Sequence, residues 1–322
     1  MEKDITYKSK NSDFLELMIN DIFFSKNSLN KRSIKINPFY SYFEKKLKDN
    51  LKKIKDQRCL GYIKVNVSGY NKQEIFLKVH REQGNLKARL INNYNLNDEL
   101  IIINTAGGLT SGDVNINLIK VSDNIKINIT TQSMEKVYRC NNFSANSYTN
   151  IMVGANSYVS WLPLETIFFN GGNLRRRINV DLASKSNFLG VETIIFGRKA
   201  MGELVKKGNF DDAWQIFQNG KLLYSDFNRI NGNISKKLSN TLVMKGNNIF
   251  CNVVFVGNKI KTYKRKILKL ISSSKYFAGV STVNGVLLLK VLVKDISEIR
   301  VFLESLVIIF GKNFNLPKLW NS

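Results

Sequence analysis

Histidine, cysteine and proline are scarce in this chain of 322 residues, which holds one histidine, three cysteines and three prolines. His80 cannot build a multi-histidine metal site alone, and any Ser-His-Asp triad would have to use it. Because it stands in the alternating run EIFLKVHR, we interpret it as an ordinary strand residue. Cys59, Cys140 and Cys251 lie far apart without a C-x-x-C pair. That spacing argues against a disulfide framework and predicts a reducing, cytoplasmic location.

Long apolar runs and acidic residues are also few. The chain begins MEKDITYKSK without a following apolar stretch, so no signal peptide is predicted. No apolar run approaches the ~18 residues of a membrane helix, so no membrane partner is expected. The net charge is +24, and residues 231–322 contribute +12 of it. This excess should attract acidic surfaces. It leaves two interpretations open, a basic nucleic-acid-binding protein and a general enrichment in lysine and asparagine.

Two segments with different patterns divide the sequence. Residues 1–56 form a variable, basic N-terminal extension, within which 39–54 has the apolar spacing of a short amphipathic helix. Residues 57–322 form the body, with a β core at about 57–257 and a small α/β end-piece at about 258–322. No low-complexity linker and no clean repeat is apparent.

From Leu60 onward apolar and polar residues alternate with a period of two, which is typical of β-strands. Strands are predicted at 60–67, 99–105, 114–121, 125–131, 148–153, 157–162, 174–182, 188–196, 213–218, 221–230, 241–245 and 250–256. Helices are predicted at 260–273 and 296–309, on either side of a buried strand at 285–293. Arg300 stands three residues after Ser297, so no capping box is expected at the second helix. We predict a mainly β fold, a large multi-strand body of stacked, β-helix-like sheets with a few helices, two near the C-terminus.

Two polar segments could carry chemistry. The glycine-rich loop at 106–113 could cradle a phosphate with its backbone N–H groups. It lacks the Gly-Lys-Ser/Thr of a P-loop and precedes a strand pattern, so a tight turn is the simpler interpretation. The segment 130–139 mixes hydroxyl, carboxylate, amine and phenol groups, as either an acid/base cluster or the solvated end of a strand. A phosphate-binding hydrolase that uses the 106–113 loop therefore stays open as an alternative.

Charged residues also interrupt apolar strand patterns. Arg175 and Arg177 share one face of a predicted strand, which indicates either an exposed basic strip or a docking surface for an acidic partner. Glu192 and Asp226 stand in apolar surroundings, where a carboxylate must be paired or lie on a polar face. They are either ion-paired or oxygen ligands that line a passage for a hydrated cation.

Several of these segments, in this order and spacing, resemble the urease accessory protein UreD (UreH) family. The resemblance covers about residues 59–320. Ser111 departs from the family pattern, which usually has two glycines before the aspartate. The matching segments are KVHREQGNLKARL (78–90), INTAGGLTSGD (103–113), TTQSMEKVYR (130–139), WLPLETIFFNGG (161–172), LRRRINVDL (174–182), FLGVETIIFGRKAMGE (188–203) and LPKLW (316–320).

The resemblance implies a cytoplasmic, non-enzymatic scaffold or chaperone of nitrogen metabolism. With UreF and the GTPase UreG it would dock on apo-urease as a protein complex and assist nickel insertion into the active site. GTP hydrolysis would belong to UreG, in agreement with the missing P-loop. No cofactor would be tightly bound, although a nickel ion could bind transiently. The complex could contain two copies of the chain, and no nucleic-acid partner is expected.

The resemblance also assigns roles to particular residues. Asp113, Glu192 and Asp226 would line the nickel passage, because oxygen ligands exchange an ion that histidine and cysteine would retain. The partner-docking residues would be Arg175, Arg177, Tyr138 and Arg139.

Overall fold

The structure is a computed structural model that describes residues 58–70, 74–198 and 201–321. The strands in chain order are β1 (Leu60–Tyr70), β2 (Glu74–Gln83), β3 (Leu86–Ile91), β4 (Asp98–Asn104), β5 (Val114–Val121), β6 (Lys126–Thr131), β7 (Glu135–Val137), β8 (Ala145–Val153), β9 (Tyr158–Trp161), β10 (Thr166–Phe168), β11 (Asn173–Leu182), β12 (Asn187–Phe196), β13 (Lys207–Gln218), β14 (Lys221–Asn233), β15 (Ile249–Val256), β16 (Phe277–Val283) and β17 (Val286–Val293). The helices are α1 (Ile234–Ser239), α2 (Ile260–Ser272) and α3 (Ile296–Phe310), followed by a 3-10 turn at Lys318–Asn321. The predicted extension at 1–56, with its helix at 39–54, lies outside the described residues.

The strands form two sheets, between which the chain passes repeatedly. The seven-stranded sheet has the order β14-β13-β11-β8-β5-β1-β2. The ten-stranded sheet runs β16-β17-β15-β12-β9-β6-β4-β3, with β10 beside β12 and β7 beside β10. Pairing is parallel from β1 through β5, β8 and β11 to β13, whereas β2 and β14 pair antiparallel at the two ends. These are the stacked coils of a β-solenoid, which confirms the predicted mainly β fold of β-helix-like sheets.

Polar side chains stack in register from one coil to the next. Asn117 on β5 donates from Nδ2 to Thr149 Oγ1 on β8 over 3.1 Å, across 32 residues of sequence. Ser160 on β9 forms a 2.5 Å hydrogen bond with Asn128 on β6, again 32 residues apart. These hydrogen bonds between adjacent coils offset part of the cost of burying polar side chains between the sheets.

Among the described residues, two large apolar clusters hold the layers together, beside a smaller third one. Ile63, Ile127 and Trp214, all fully buried, belong to the cluster between the two sheets. The other cluster lies between the ten-stranded sheet and the C-terminal helices, where the rings of Phe255 and Phe310 stack with centroids 4.7 Å apart. The strands β16 and β17 of the predicted end-piece thus extend the ten-stranded sheet, and α2 and α3 pack against its outer face.

Two local predictions were wrong. The strand predicted at 241–245 is a turn, since the N–H of Lys245 bonds back to the Asn240 carbonyl at 2.9 Å and Lys245 has a φ of 52°. Helix α3 does have a capping box. Asp295 accepts from the Ser297 N–H over 2.9 Å, and Glu298 accepts from the Asp295 N–H over 3.3 Å. The prediction failed because the cap residue is Asp295 rather than Ser297.

Candidate functional site

A narrow cavity of about 70 Å³ lies between the two sheets. Strands from both sheets contribute to it, and neither histidine nor cysteine is found among its described lining residues. The polar side chains of the lining are Asn104, Asn115, Asn117, Thr131, Ser133, Glu135, Ser147, Thr149, Thr166, Arg176 and Glu192. Asn117 is 7% exposed, and its Oδ1 accepts no hydrogen bond from the described residues. The cavity therefore offers hard oxygen ligands.

A buried charge cluster forms one wall of this cavity. Arg176 on β11 is ion-paired with Glu192 on β12, and its Nε donates to Asp212 Oδ1 on β13 over 2.8 Å. Trp161 Nε1 donates to the Glu192 carboxylate over 2.8 Å. Arg176 also donates to the Thr166 hydroxyl over 3.3 Å. Adjacent strands in both sheets fix these side chains, so the cluster is held rigidly.

Charge balance in this cluster determines how Glu192 titrates. One guanidinium serves two carboxylates, so full ionisation of both would leave an excess negative charge away from water. Burial, reinforced by the nearby Asp212, raises the pKa of Glu192 to about 7 against the opposing attraction of Arg176. Glu192 can therefore release or take up a proton near neutral pH.

Glu135 is the second carboxylate of the cavity. Asn104 Nδ2 donates to both of its oxygens, at 3.1 and 3.0 Å. Asn104 in turn accepts from Asn85 Nδ2 over 2.7 Å, and Asn85 donates to Asn115 over 2.9 Å. No lysine or arginine within the described part of the chain forms an ion pair with Glu135. Burial therefore raises the pKa of Glu135 to about 7.

The other two acids predicted for a nickel passage do not line this cavity. Asp113 is buried, and its carboxylate accepts from the N–H groups of Cys59 and Thr110 over 3.0 and 2.8 Å. Asp226 on β14 is ion-paired with Lys290 Nζ at 2.8 Å. The structure thus separates the three predicted acids and leaves only Glu192 at the cavity.

The four predicted docking residues differ in exposure. Arg177 is 2% exposed and is ion-paired with Asp211 at 2.8 Å, while Arg175 is half-buried. Tyr138 is 40% exposed and Arg139 is exposed. Tyr138 and Arg139 are therefore accessible to solvent, whereas Arg177 lies inside the fold.

A family model described as the UreD urease accessory protein matches residues 61–321. The chain belongs to the UreD family. The urease accessory protein UreD of Rhizobium johnstonii is 35% identical over 240 residues, which cover 74% of this chain and 87% of that protein. The urease accessory protein UreD of Xanthobacter autotrophicus is 30% identical over 264 residues, covering 82% and 90%. Membership of the UreD family supports a role in urease maturation.

In this UreD-family chain the glycine-rich loop at 106–113 is a tightly packed turn. Gly108 has a φ of 151°, and a Cβ there would lie 2.6 Å from the Lys136 carbonyl oxygen. The N–H of Leu109 bonds to that same oxygen at 2.7 Å. The chain enters strand β5 directly afterwards, so Gly108 serves the close approach of the loop to the neighbouring backbone.

Sequence reasoning missed several residues of the cavity in this UreD-family chain. Glu135 and Trp161 stand in segments that carried the family resemblance, but neither was assigned to a passage. Arg176 was passed over in favour of its neighbours in the arginine triplet. Alternation could have identified Arg176, because side chains of consecutive strand residues point to opposite faces and Arg176 therefore faces away from Arg175 and Arg177.

None of the helices described here is long and apolar enough to cross a bilayer. The described residues also contain no group of three or more histidine, cysteine or acidic side chains that could hold a metal ion.

Proposed function

We propose that this chain is a non-enzymatic scaffold of urease maturation that docks on apo-urease with UreF and the GTPase UreG and assists nickel insertion. Its membership of the UreD family supports the maturation role. The inter-sheet cavity, lined by oxygen ligands, is the single observation that supports the nickel step. A delivery route needs ligands that release the ion, and carboxylate, hydroxyl and amide oxygens do so more readily than clustered thiolates or imidazoles.

Nickel is the cargo in this proposal, and the cavity is its route. A buried water needs about 10–15 Å³ of such space, so a cavity of about 70 Å³ has room for an ion with part of its hydration shell. Glu135 and Glu192 are the acidic ligands along the route. Because both have pKa values of about 7, an arriving dication would displace protons from them. Asn117 Oδ1 supplies a neutral ligand that is free of hydrogen bonds from the described residues.

Docking in this proposal uses the exposed side chains at the end of the segment 130–139. Tyr138 contacts Phe169 edge-on with ring centroids 5.2 Å apart, and Arg139 follows it in the chain. Tyrosine and arginine are enriched at the energetic centres of protein interfaces. The net charge of +24 favours acidic partner surfaces.

The deciding experiment compares urease purified from a host that carries the urease genes with and without the gene for this chain. We expect nickel-poor, inactive urease only when the chain is absent, measured by metal analysis and urea hydrolysis. Equal nickel content in both preparations would exclude the maturation role for this chain.

A pair of variants then tests the route. Glu135→Gln removes a cavity carboxylate while keeping its shape, so nickel per urease should fall although the accessory complex still assembles. Glu203→Gln is the matched control, because Glu203 pairs with Arg198 outside the cavity and should leave nickel loading unchanged. Normal loading with Glu135→Gln would refute the route through this cavity. Asp113→Ala is a poorer test because it also releases two backbone N–H groups.

A further inference from the structure

A second, more open cleft of about 360 Å³ lies where the corners of successive coils meet. It shares no residue with the inter-sheet cavity. Three corners contribute to it, those that lead into β8, β11 and β13, which are neighbours in the seven-stranded sheet. We call it the corner cleft.

Backbone hydrogen bonds fix the corner cleft. The N–H of Cys140 donates to the Gly171 carbonyl at 3.0 Å, and the N–H of Gly171 donates to the Lys207 carbonyl at 2.8 Å. Arg139 pairs with Gly172 in an isolated antiparallel bridge. The backbones of Arg139 and Lys207 therefore both pair with the segment Gly171-Gly172, and this pairing between coils fixes their positions.

The chemistry of the corner cleft suits an oxyanion. Arg139 and Lys207 are both exposed, and neither forms an ion pair within the part of the chain that the structure describes. Its lining, as far as the described residues form it, contains no aspartate or glutamate. Gly171 has a φ of 80°, and a Cβ there would lie 3.0 Å from Arg139 Cγ, so the glycine lets the arginine stem lie against the backbone. Guanidinium and ammonium groups on such a platform bind carboxylates and phosphates.

Aromatic residues next to the corner cleft favour a protein segment over a small ion. Tyr138 is 40% exposed, and its ring contacts Phe169, two residues before the cleft glycine Gly171. The Arg198 guanidinium lies over Phe169 at 4.4 Å from the ring centroid. A free anion would leave this aromatic surface unused, whereas a peptide can place an apolar side chain on it. A second copy of the chain is a poor occupant because it carries the same charge of +24.

We infer that the corner cleft binds a carboxylate-bearing segment of an acidic protein partner, with Arg139 and Lys207 holding the carboxylates and Tyr138 contacting an adjoining apolar side chain. Only the identity of the partner, a protein of urease maturation that supplies the segment, rests on the proposed docking function. A free phosphate shares the oxyanion chemistry without the aromatic contact, and the experiment separates the two.

Calorimetric titration of the full chain at low salt provides the test. The probes are an acetylated and amidated Asp-Glu-Phe-Glu-Asp peptide, its Asn-Gln-Phe-Gln-Asn analogue, and inorganic phosphate. The acidic peptide should bind, and the double variant Arg139→Gln with Lys207→Gln should weaken it by about tenfold or more, as expected for two charged hydrogen bonds. Lys261→Gln with Arg265→Gln removes the same charge from the exposed side of α2 and should change the affinity by about twofold or less.

Other outcomes would overturn the inference. Equal weakening by both double variants would mean that only net charge matters. Phosphate binding that depends on Arg139 and Lys207, without peptide binding, would assign the corner cleft to a small anion. Binding of the uncharged analogue as tightly as the acidic peptide would remove the role of the carboxylates.

Cys140 gives a second test in the unaltered protein, independent of how the variants fold. It lines the corner cleft, whereas Cys59 does not. The acidic peptide should slow alkylation of Cys140 at least several-fold and leave alkylation of Cys59 unchanged. Equal alkylation rates of Cys140 with and without peptide would refute binding in the corner cleft.

The calorimetric and alkylation measurements do not involve urease. Peptide binding with normal urease loading in the gene-deletion host would therefore refute the maturation role alone, and the reverse result would refute the cleft alone.

Discussion

Replacing Glu135 by glutamine should stabilise the fold at neutral and alkaline pH, and the gain should shrink in acid. Burial raises the pKa of Glu135 from 4.5 to about 7. Between those two pH values the unfolded chain has released this proton and the folded chain still holds it. The free energy of unfolding therefore falls as the pH rises through this window, and it stays lowered above pH 7. A pKa displacement of this size corresponds to about 3 kcal/mol at most.

The net gain in stability is smaller than this limit. Glutamine offers one carbonyl oxygen to Asn104 Nδ2, whereas the carboxylate present above pH 7 offers two, which offsets about 1 kcal/mol of the gain there. The difference between variant and parent should therefore grow by about 2 kcal/mol between pH 5 and pH 8, whatever its offset. Urea denaturation followed by tryptophan fluorescence at four pH values across this range measures it.

Glu203→Gln is the control for this experiment. Burial alone would raise the pKa of Glu203, but hydrogen bonds from Arg198 and from the Asn170 N–H lower it below its ordinary value. A lowered carboxyl pKa contributes stability that is lost only as the pH falls through the folded-state value. The control should thus lose a constant amount of stability between pH 5 and pH 8. A Glu135→Gln difference that is equally constant over this range would refute the argument from burial.

Three further substitutions test the packing and the buried charges. Gly190→Ala places a Cβ 2.7 Å from the ring of Trp214, so overpacking should cost about 1–3 kcal/mol and lower the thermal midpoint, and an unchanged midpoint would contradict this contact. Arg176→Met leaves two buried carboxylates without their guanidinium and should cost about 3–5 kcal/mol in urea denaturation at pH 8, with a smaller loss at pH 5, where Glu192 with its raised pKa is protonated. Asp113→Ala removes the acceptor of the Thr110 N–H, so that amide should exchange its hydrogen faster, and unchanged exchange would show that Asp113 does not protect it.

The sequence predicted most individual strands and the stacked, β-helix-like sheets, but not which strands pair with each other. The predicted strand at 114–121 coincides with β5, and 174–182 differs from β11 by one residue. The strands β3, β7, β10 and β16 were not predicted, since they are short or carry no clear alternation. The pairing register could not be read from the sequence because the 32-residue offset is carried by backbone hydrogen bonds and by mixed pairs such as Asn117 with Thr149, which leave no repeated sequence motif.

The candidate site was predictable only in part, because contacts between residues distant in the sequence could not be predicted. Glu192 was conspicuous as a carboxylate in an apolar strand. Its partner Arg176 was overlooked because Arg175 and Arg177 were judged by the face they share, while the middle residue faces the cavity. Asp226 was singled out for the same reason as Glu192, and Asp113 by the family resemblance. A sequence cannot show that their oxygens already accept bonds from backbone N–H groups or from a lysine.

The antiparallel strands at the two ends of the seven-stranded sheet limit how far the solenoid can grow. A parallel coil at the end of such a stack would expose a backbone edge on which a further parallel strand could form. Strands β2 and β14 reverse the direction at either end, so the repeated crossing between sheets cannot continue there. A chain cut after β13 would lose this termination and present a parallel edge of twelve residues to any other strand. The two terminal hairpins therefore block further parallel strand pairing and keep the protein from polymerising through its own repeat.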